Sequence, residues 1–335
     1  MIAVTHAIAD RMSASNRLLC KDMLARGWKV SIPYEGIADF YIEKDNGQKL
    51  HFRSTVPPTT LYATALTSND KFATSFVLTS QGIEQLPVGL FAAADTAGMK
   101  RFLAAHTAVT AKPLDGSHGD GITTSVDTPK RLEIAIKRIM DMGSKTSVLL
   151  QKQFESASMY DVRVLIIDGH YVAAIHRLPA RVCGDGISSI EALIDRENQH
   201  PERGEAYRAK LARIDVERAH MFLGEKLQDI PAVGEYVTVT GVANYGAGGE
   251  LIEITDDIPE WMQVEAILAA ETLGLKVAGV DFLVDGAPSV SMQRDHQYAV
   301  IIEVNKAPSL CIHDEPTRGK ARGAVSAYVD YLADI

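Results

Sequence analysis

Two apolar segments near the carboxyl end of the chain each carry an acidic residue where a buried strand normally has none. The first, VAGVDFLVDG, begins at Val277 and contains Asp281, and the second, YAVIIEVNKAP, begins at Tyr298 and contains Glu303. Successive side chains of a strand point to opposite faces, so Glu303 and Asn305 are predicted to share one face. An unpaired buried carboxylate is strongly unfavourable, and two of them beside an amide oxygen are most simply explained by a shared cation.

All three of these ligands offer oxygen, which suits Mg²⁺ or Mn²⁺ and argues against zinc. In the alternative interpretation, Asp281 and Glu303 lie at strand ends and face water. The pattern of the two segments alone leaves both interpretations open.

The beginning of the chain has the periodicities of a small α/β unit. Apolar residues at helical spacing predict a helix over 16–26 that ends at Gly27, and WKVSIPY then predicts a strand. Two alternating segments follow, joined through Asp45-Asn46-Gly47, which is a strong hairpin signal. A further helix is predicted over 70–81.

A glycine-rich segment, VTAKPLDGSHGDGITTSV, begins at Val109. It predicts a strand that carries Lys112 and ends at Pro113, followed by a loop with glycines at 116, 119 and 121. Backbone N–H groups of such a loop can surround the oxygens of a phosphate, although a lysine beside an ordinary turn gives the same pattern. The segment matches neither the Walker A motif nor the GxGxxG fingerprint of a dinucleotide-binding unit.

A helix is predicted over 130–142 and an apolar strand over 147–154. Two further strands joined by Asp168-Gly169 place Asp161 and Arg163 on one face, with Arg177 near the end of the partner strand. Opposite charges on a sheet face commonly form a cross-strand pair, but the same groups would also suit ribose and acyl-phosphate contacts.

Composition narrows the class of protein. A length of 335 residues predicts two or three domains, and a net charge of −9 without a long basic run speaks against a nucleic-acid surface. The 3 cysteines are widely spaced, as in reduced intracellular proteins. The sequence lacks an apolar run of about 18 residues, so no membrane partner is expected. We expect a cytoplasmic protein, and the sequence leaves a homo-oligomer open.

Taken in order, these motifs resemble those of the ATP-grasp ligases. The segments that carry the resemblance are NDK ending at Lys71, AKPLDGSHGDG, DVRVLIIDGHYVAAIHRLPARVCGDG, ANYGAGGE and IIEVNKAP. They are most similar to the glutathione synthetase domain of bifunctional glutamate-cysteine ligase/glutathione synthetases and to the central domain of cyanophycin synthetases. The resemblance implies an α/β (α+β) ATP-grasp fold with an N-terminal domain at 1–88, a lid subdomain at 89–155 and a C-terminal metal and ATP domain at 156–335.

The resemblance also implies roles for particular residues. Lys71 and Lys112 would hold the phosphates of ATP, and Asp161 would hold its ribose. The closing loop would comprise Gly116, Ser117, His118, Gly119 and Gly121, and the adenine-reading hinge would comprise Gln151, Gln153 and Phe154. The catalytic residues would be Arg163, Arg177 and Asn244, and the metal ligands Asp281, Glu303 and Asn305. His313 resembles the end of the glutathione-synthetase-like domain, without an assigned role.

One segment departs from the relatives. Where they read roughly N-x-S-T-G-G, residues 244–249 read NYGAGG, so two hydroxyl donors are missing and only Asn244 and backbone amides remain.

The function implied is ATP-dependent ligation of a small-molecule acid and an amine through an acyl phosphate, with Mg²⁺ or Mn²⁺. The sequence identifies neither substrate. A nucleotide-binding regulatory module that has lost ligation and a phosphotransferase on the same fold are the alternatives.

Overall fold

A computed structural model describes residues 1–114, 121–143, 146–156, 158–206, 208–288 and 298–335. The amino-terminal part is a four-stranded antiparallel sheet in the order β1-β2-β3-β4, with helices packed beside it. Its elements are β1 (Ile2–Ala3), α1 (His6–Ala9), α2 (Ala14–Ala25), β2 (Lys29–Ile32), β3 (Asp39–Glu43), β4 (Lys49–Arg53), α3 (Tyr62–Asn69) and α4 (Lys71–Ser80).

The local predictions for this part are confirmed. The turn between β3 and β4 places Gly47 at φ 83°, a left-handed conformation that glycine adopts without strain. Helix α4 begins after Asp70, whose carboxylate accepts hydrogen bonds from the amides of Phe72 at 2.9 Å and Ala73 at 2.8 Å. This cap satisfies two amides that have no partner within the helix and fixes the start of α4 beside Lys71.

A second antiparallel sheet, in the order β5-β8-β6-β7, follows in the chain. Its elements are β5 (Val88–Ala92), α5 (Thr96–Ala104), β6 (Val109–Pro113), β7 (Thr123–Val126), α6 (Pro129–Asp141) and β8 (Ser147–Lys152). Thr128 caps α6 and a proline occupies its first turn. Leu132 and Ile139 of α6 belong to the same buried cluster as Val109 and Leu150 of the sheet, so helix and sheet form one layer pair.

The remaining chain contains the largest sheet. Its elements are β9 (Met159–Ile167), β10 (His170–Leu178), β11 (Arg181–Cys183), α7 (Ile190–Asn198), β12 (Arg203–Gly204), β13 (Leu211–Ala212), α8 (Val216–Leu223), β14 (Tyr236–Thr238), β15 (Glu250–Glu253), α9 (Glu260–Thr272), β16 (Val277–Asp285), β17 (Ala299–Asn305), α10 (Cys311–Asp314) and α11 (Ala324–Asp334), with short 3₁₀ turns at Gly224–Gln228, Tyr245–Ala247 and Thr255–Asp257. The five-stranded sheet has the order β15-β10-β9-β16-β17 and every neighbouring pair is antiparallel. The predicted hairpin at Asp168-Gly169 is confirmed, with φ values of 47° and 75°.

The two faces of this sheet have different surroundings. On one face, Val162, Val280 and Phe282 are fully buried in a core that includes Met262 and Ala266 of α9. The alternating residues on the opposite face are largely charged near the middle of the strands, as the next subsection describes. An antiparallel sheet with one packed face and one polar face can present functional groups from a rigid base.

Helix α11, at the end of the chain, packs on the amino-terminal sheet. The rings of Tyr328 and Phe52 lie 6.0 Å apart, and both residues belong to one core cluster with Trp28, Leu165 and Val277. The beginning and end of the chain therefore share a core with one end of the large sheet.

Residues between β10 and β15 form a smaller cluster of their own, centred on Val182, Leu193, Ile194, Ile214 and Leu227. The domain borders expected after 88 and 155 remain predictions. Among the described residues, no helix is both long enough and apolar enough to cross a membrane.

Candidate active site

Asp281 lies at the centre of a buried ionic network. Arg163 donates from Nε to Oδ1 and, at 2.7 Å, from Nη2 to Oδ2, and Arg177 donates to Oδ2 at 3.0 Å. The Asp281 side chain is 2% exposed. Burial acts to raise its pKa, but the positive charges of Arg163 and Arg177 and their hydrogen bonds outweigh burial and lower it below the usual value. The carboxylate is therefore held ionised between two guanidinium groups.

Arg177 links Asp281 to a second carboxylate. Its guanidinium lies 2.6 Å from Asp161, which is its direct partner across the β9–β10 pair. Burial raises the pKa of Asp161 to about 6, against the lowering effect of Arg177 and with a smaller raising contribution from Asp281. The pKa of Arg177 is raised because the two carboxylates outweigh burial. The cross-strand pair considered in the sequence is thus present, but it belongs to a larger network.

The predicted metal ligands converge on the same face. Strand register places Asp281 opposite Glu303 and Gly279 opposite Asn305, with a bulge immediately after Asp281. The Asn305 amide group lies 3.4 Å from Asp281 Oδ2. Directly opposed residues of an antiparallel pair have Cβ atoms about 5 Å apart, so the two carboxylates can address one ion.

These residues fit a divalent cation by donor type, and in this structure both Asp281 oxygens accept hydrogen bonds from arginines. Two carboxylates and an amide oxygen on neighbouring strands form a hard, all-oxygen set suited to Mg²⁺ or Mn²⁺. The described residues include no group of three or more His, Cys, Asp or Glu side chains that could hold a metal by themselves. The remaining coordination positions would then fall to water and to phosphate oxygens, as is usual for Mg²⁺.

Two lysines face this network from other elements. Lys71, at the start of α4, lies 3.2 Å from Glu303 Oε1. Lys112 on β6 donates to Gln151 Oε1 on β8 at 2.7 Å. Burial lowers the pKa of Lys112 to about 8, with Glu303 opposing this shift and Lys71 adding to it. A narrow cleft between the second sheet and β17 is lined by Lys71, Lys112, Gln151 and Glu303.

Among the described residues of this network and the cleft, three carboxylates face four cationic side chains. The carboxylates are those of Asp161, Asp281 and Glu303, and the cations are Lys71, Lys112, Arg163 and Arg177. An excess of positive charge around a narrow cleft favours a polyanion such as a triphosphate.

The predicted hinge residues lie at and after the end of β8. Gln151 is buried and its side-chain oxygen accepts a hydrogen bond from Lys112, which fixes the position of the Gln151 side chain. Gln153 accepts from Thr110 Oγ1 at 2.8 Å and from the Ser125 amide at 3.1 Å, which joins β6 and β7 to the hinge. Phe154 is 7% exposed.

Asn244 has a structural function that its sequence pattern did not predict. Its side chain caps the 3₁₀ turn at Tyr245–Ala247 by accepting from the Gly246 amide at 2.8 Å. Gly249 lies so close to backbone that a Cβ there would be 2.4 Å from the Leu178 carbonyl oxygen. The glycines of this segment therefore allow it to pack against the end of β10, and a catalytic role for Asn244 stays a prediction.

Most of the predicted closing loop lies outside the described residues, namely Gly116, Ser117, His118 and Gly119. Gly121, which is described, has φ 73° and is buried.

His313 is a residue whose position the sequence did not predict. It is fully buried, and neither ring nitrogen has a hydrogen-bond partner among the described residues. Burial, followed by the charges of Arg163 and Arg177, lowers the pKa of His313 to about 3. In the sequence, only its place shortly after the Glu303 strand, in a segment that resembles the glutathione-synthetase-like domain, pointed to it.

Comparisons with known proteins show that the fold is the ATP-grasp fold. Residues 78–193 match the family model of the prokaryotic glutathione synthetase ATP-grasp domain. The structure is similar to a bifunctional glutathione synthetase from Pasteurella multocida, with a TM-score of 0.68 and 22% identity over 98% of this chain and 44% of that one. This likeness confirms the predicted ATP-grasp fold.

Two curated proteins are similar to this chain in sequence. A cyanophycin synthetase from Crocosphaera subtropica is 36% identical over 67% of this chain and 26% of its own length. A glutathione biosynthesis bifunctional protein from Clostridium perfringens is 29% identical over 96% of this chain and 41% of its own length. The chain thus spans about a quarter of the first relative and about two fifths of the second. In each relative, the similarity to this chain lies within the aligned part of the relative's longer sequence.

Proposed function

We propose that this chain joins a small carboxylic acid to an amine, using ATP and forming an acyl phosphate on the way. The observation that carries the proposal is the alignment of Asp281 opposite Glu303, with Arg163 and Arg177 on the same face and two lysines across the cleft. Buried ionic networks of this kind are rarely retained for stability alone, because their desolvation offsets most of the attraction.

The first step transfers the γ-phosphoryl group from ATP to a carboxylate oxygen of the acid and leaves ADP. Lys71 and Lys112 bind phosphate oxygens, and Arg163 and Arg177 bind the oxygens of the transferring group and of the acyl substrate. Asp281, Glu303 and Asn305 would hold Mg²⁺, which would neutralise charge on the phosphates when bound. Asp161 keeps Arg177 oriented toward this face through its 2.6 Å contact.

In the second step the amine attacks the acyl carbon, the C–O bond to phosphate breaks, and the amine gives up a proton. The products are an amide and inorganic phosphate. Arg177, whose side chain is 17% exposed and held by two carboxylates, is well placed to stabilise the oxyanion that forms in between, because a preorganised donor needs little rearrangement.

The proposal is tested by ADP release from the purified chain with Mg-ATP and mixtures of acids and amines. Release that requires both an acid and an amine is expected, with the amide identified by mass spectrometry. Release that needs an acid but no amine would indicate a phosphotransferase, and ATP binding without any release would indicate a regulatory module. Either result would overturn the proposal.

A pair of lysine variants sharpens this test. Lys112→Ala should raise the KM for ATP strongly, because it removes a buried charge from the cleft. Lys100→Ala is the matched control, since Lys100 lies in α5 beside the same sheet and forms an ion pair with the exposed Glu133. Equal KM values for the two variants would contradict the assignment of the cleft to ATP.

A further inference from the structure

The imidazole of His313 is buried without a partner beside the ionic network. It is 0% exposed, and neither Nδ1 nor Nε2 has a hydrogen-bond partner among the residues that the structure describes. Most buried polar side-chain atoms in proteins are paired, so an unpaired imidazole calls for an explanation. An apolar side chain of similar size would fill the same space without removing two polar atoms from water. Packing alone therefore gives no reason for a histidine at this position.

His313 lies over the functional face of the large sheet. The two residues before it in α10 share a buried cluster with Ile175 and Leu251. Strand register places Ile175 directly opposite Arg163, and it places Leu251 directly opposite Arg177. Directly opposed residues of an antiparallel pair lie on one face of the sheet. Helix α10 therefore covers the apolar neighbours of both arginines.

The backbone that carries the imidazole is held in place. The His313 carbonyl accepts a hydrogen bond from the Arg322 amide at 3.1 Å. The next residue, Asp314, caps α11 by accepting from the amides of Ala324 at 2.7 Å and Val325 at 2.8 Å. Because this backbone is fixed and the side chain is packed, a hydrogen-bond partner has to move to His313.

The imidazole is suited to accept a hydrogen bond from an arginine. Burial, followed by the charges of Arg163 and Arg177, lowers the pKa of His313 to about 3, so the ring is neutral near pH 7. A neutral imidazole has one nitrogen that accepts and one that donates. A guanidinium has only donors, so the accepting nitrogen of His313 matches an arginine N–H group.

One oxygen of Asp281 is already crowded with donors. Oδ2 receives Nη2 of Arg163 at 2.7 Å and Nη2 of Arg177 at 3.0 Å, and the Asn305 amide group lies 3.4 Å away. A carboxylate oxygen has about two lone-pair sites, so Oδ2 has no site left for a cation. A divalent cation there would also lie beside two positive guanidinium groups, which it repels. Cation binding at Oδ2 therefore requires an arginine N–H to leave this oxygen.

The two arginines differ in what they keep when they leave Oδ2. Arg177 also donates from Nε to Asp161 at 2.7 Å, so it retains a carboxylate partner. Within the described part of the chain, the ion pair of Arg163 is with Asp281. A buried charged donor without an acceptor is strongly unfavourable, so the N–H that Arg163 releases needs a new acceptor.

We infer that His313 is a positioning residue, whose imidazole accepts the Arg163 N–H that leaves Asp281 Oδ2 when a divalent cation binds with the nucleotide. This inference rests on the proposed function, since it assumes a cation at Asp281, and it names the group that then holds Arg163. The exchange leaves Nε of Arg163 on Oδ1 of Asp281 and frees Oδ2. It also gives the unpaired imidazole a partner. In the alternative, the released N–H turns to a phosphate oxygen and His313 is not involved.

The first experiment observes the ring nitrogens of His313 directly. Protein labelled with ¹⁵N-histidine gives a long-range ¹H–¹⁵N spectrum, in which the signals missing from His313→Gln belong to His313, one of 10 histidines. The probe is AMP-PNP, a non-hydrolysable ATP analogue, with MgCl₂ or with EDTA, and calorimetry shows that it has bound. With Mg²⁺, the accepting nitrogen should move to lower ¹⁵N frequency while the ring stays neutral, and with EDTA it should not move.

Two results of this experiment would overturn the inference. A signal that does not move in protein saturated with Mg-AMP-PNP would show that Arg163 turns to phosphate alone. An equal movement in EDTA would show that the nucleotide, without the cation, changes the surroundings of His313.

Variants at His313 separate the accepting nitrogen from the volume of the ring. His313→Leu should reduce about tenfold or more the gain in AMP-PNP affinity that Mg²⁺ produces, which is the size expected for a hydrogen bond to a charged group. His313→Gln keeps an acceptor and should reduce this gain by less than about threefold. The thermal midpoint of His313→Leu should be no lower than that of the unchanged protein, because the variant removes two unpaired buried atoms. An unchanged Mg²⁺ gain in His313→Leu would overturn the inference.

Tyr328→Phe is the matched control for removal of an unpaired buried polar atom. The Tyr328 hydroxyl is buried and has no partner within the described ranges, but it lies in the core that α11 shares with the first sheet. This variant should leave the Mg²⁺ gain unchanged. A loss as large as that of His313→Leu would show that the gain follows core packing, and it would overturn the role of His313.

ADP release separates this inference from the ligase proposal. If no acid–amine pair releases ADP but the His313 signal still responds to Mg-AMP-PNP, the ligase proposal falls and the inference stands. If ADP is released and the signal does not respond, the inference falls and the ligase proposal stands. Failure of the unchanged protein to bind Mg-AMP-PNP would overturn both.

Discussion

Arg163 and Asp281 lie directly opposite each other on adjacent strands and form a two-point ion pair, in which Nε donates to one carboxylate oxygen and Nη2 to the other. The pair is almost completely buried, with side-chain exposures of 12% and 2%. A bidentate pair of this kind fixes both position and orientation. The pair therefore gives a fixed reference for the positions of the other candidate site residues.

The two acidic metal ligands should differ in their importance for stability. Asp281→Asn leaves two buried guanidinium groups without their shared counter-charge, so it should lower the free energy of unfolding by about 3–5 kcal/mol. Glu303 is about one third exposed, and within the described part of the chain its ion pair is with Lys71, so Glu303→Gln should change the free energy of unfolding by less than about 1 kcal/mol. Urea unfolding measures both values. Both variants should lose nearly all ATP turnover, and an equal loss of stability would contradict the buried network.

Gly279 should be required for the position of Arg163. A Cβ at residue 279 would lie 2.9 Å from Arg163 Cδ and 3.0 Å from Pro308 Cβ, so Gly279→Ala must displace the arginine. We expect a large loss of turnover and a loss of stability of about 1–2 kcal/mol.

A double-mutant cycle provides the control for this prediction. Arg163→Lys should also reduce turnover, because lysine cannot form the two-point contact. If Gly279 acts through Arg163, the double variant should be about as impaired as the worse single variant. Fully additive losses would show that Gly279 acts by another route.

Lys112 should make stability depend on pH in a defined direction. Its pKa is about 8 in the folded protein, below its ordinary value of 10.5, so the folded chain binds this proton less tightly than the unfolded chain. The charged form therefore destabilises the fold below about pH 8, and this penalty fades as pH rises from about 8 toward 10.5. Across that window, the free energy of unfolding of the unchanged protein should rise by up to about 3 kcal/mol relative to that of Lys112→Met.

Unfolding measured between pH 7 and 9.5 tests this prediction. The difference between the two proteins in the free energy of unfolding should shrink steadily above pH 8. If the difference in the free energy of unfolding between the unchanged protein and Lys112→Met did not change with pH, this would contradict the burial of a charged lysine in the cleft.

The three thiols should differ in reactivity. Cys183 is exposed, whereas Cys20 and Cys311 are buried. Burial raises the pKa of Cys20 to about 12 and also raises that of Cys311, so little thiolate is available at either site. Iodoacetamide at pH 8 should label Cys183 first, as followed by mass spectrometry. A Cys183→Ser variant should show almost no labelling until it is denatured, and rapid labelling of Cys20 would contradict its burial.

Local elements were predictable because their signals lie within a few residues. The turns at 45–47 and 168–169 use residues that accept left-handed backbone, and both turns are present. The helix expected over 70–81 is Lys71–Ser80, and the one expected over 130–142 is Pro129–Asp141. The strand that carries Lys112 runs from Val109 to Pro113, close to the expected span.

The sequence by itself determined which side chains are predicted to carry the chemistry: the alternation in two apolar segments marked Asp281, Glu303 and Asn305, and a motif marked Lys112. Tertiary structure alone decided their partners. The pairing of Asp281 with Arg163 and Arg177, the packing of α11 on the first sheet, and a cavity between α2 and α10 all join segments far apart in the chain. The physical reason is that periodicity fixes the face on which a side chain lies, whereas the register and burial that set ion pairs, pKa values and cavities depend on how distant strands and helices pack together.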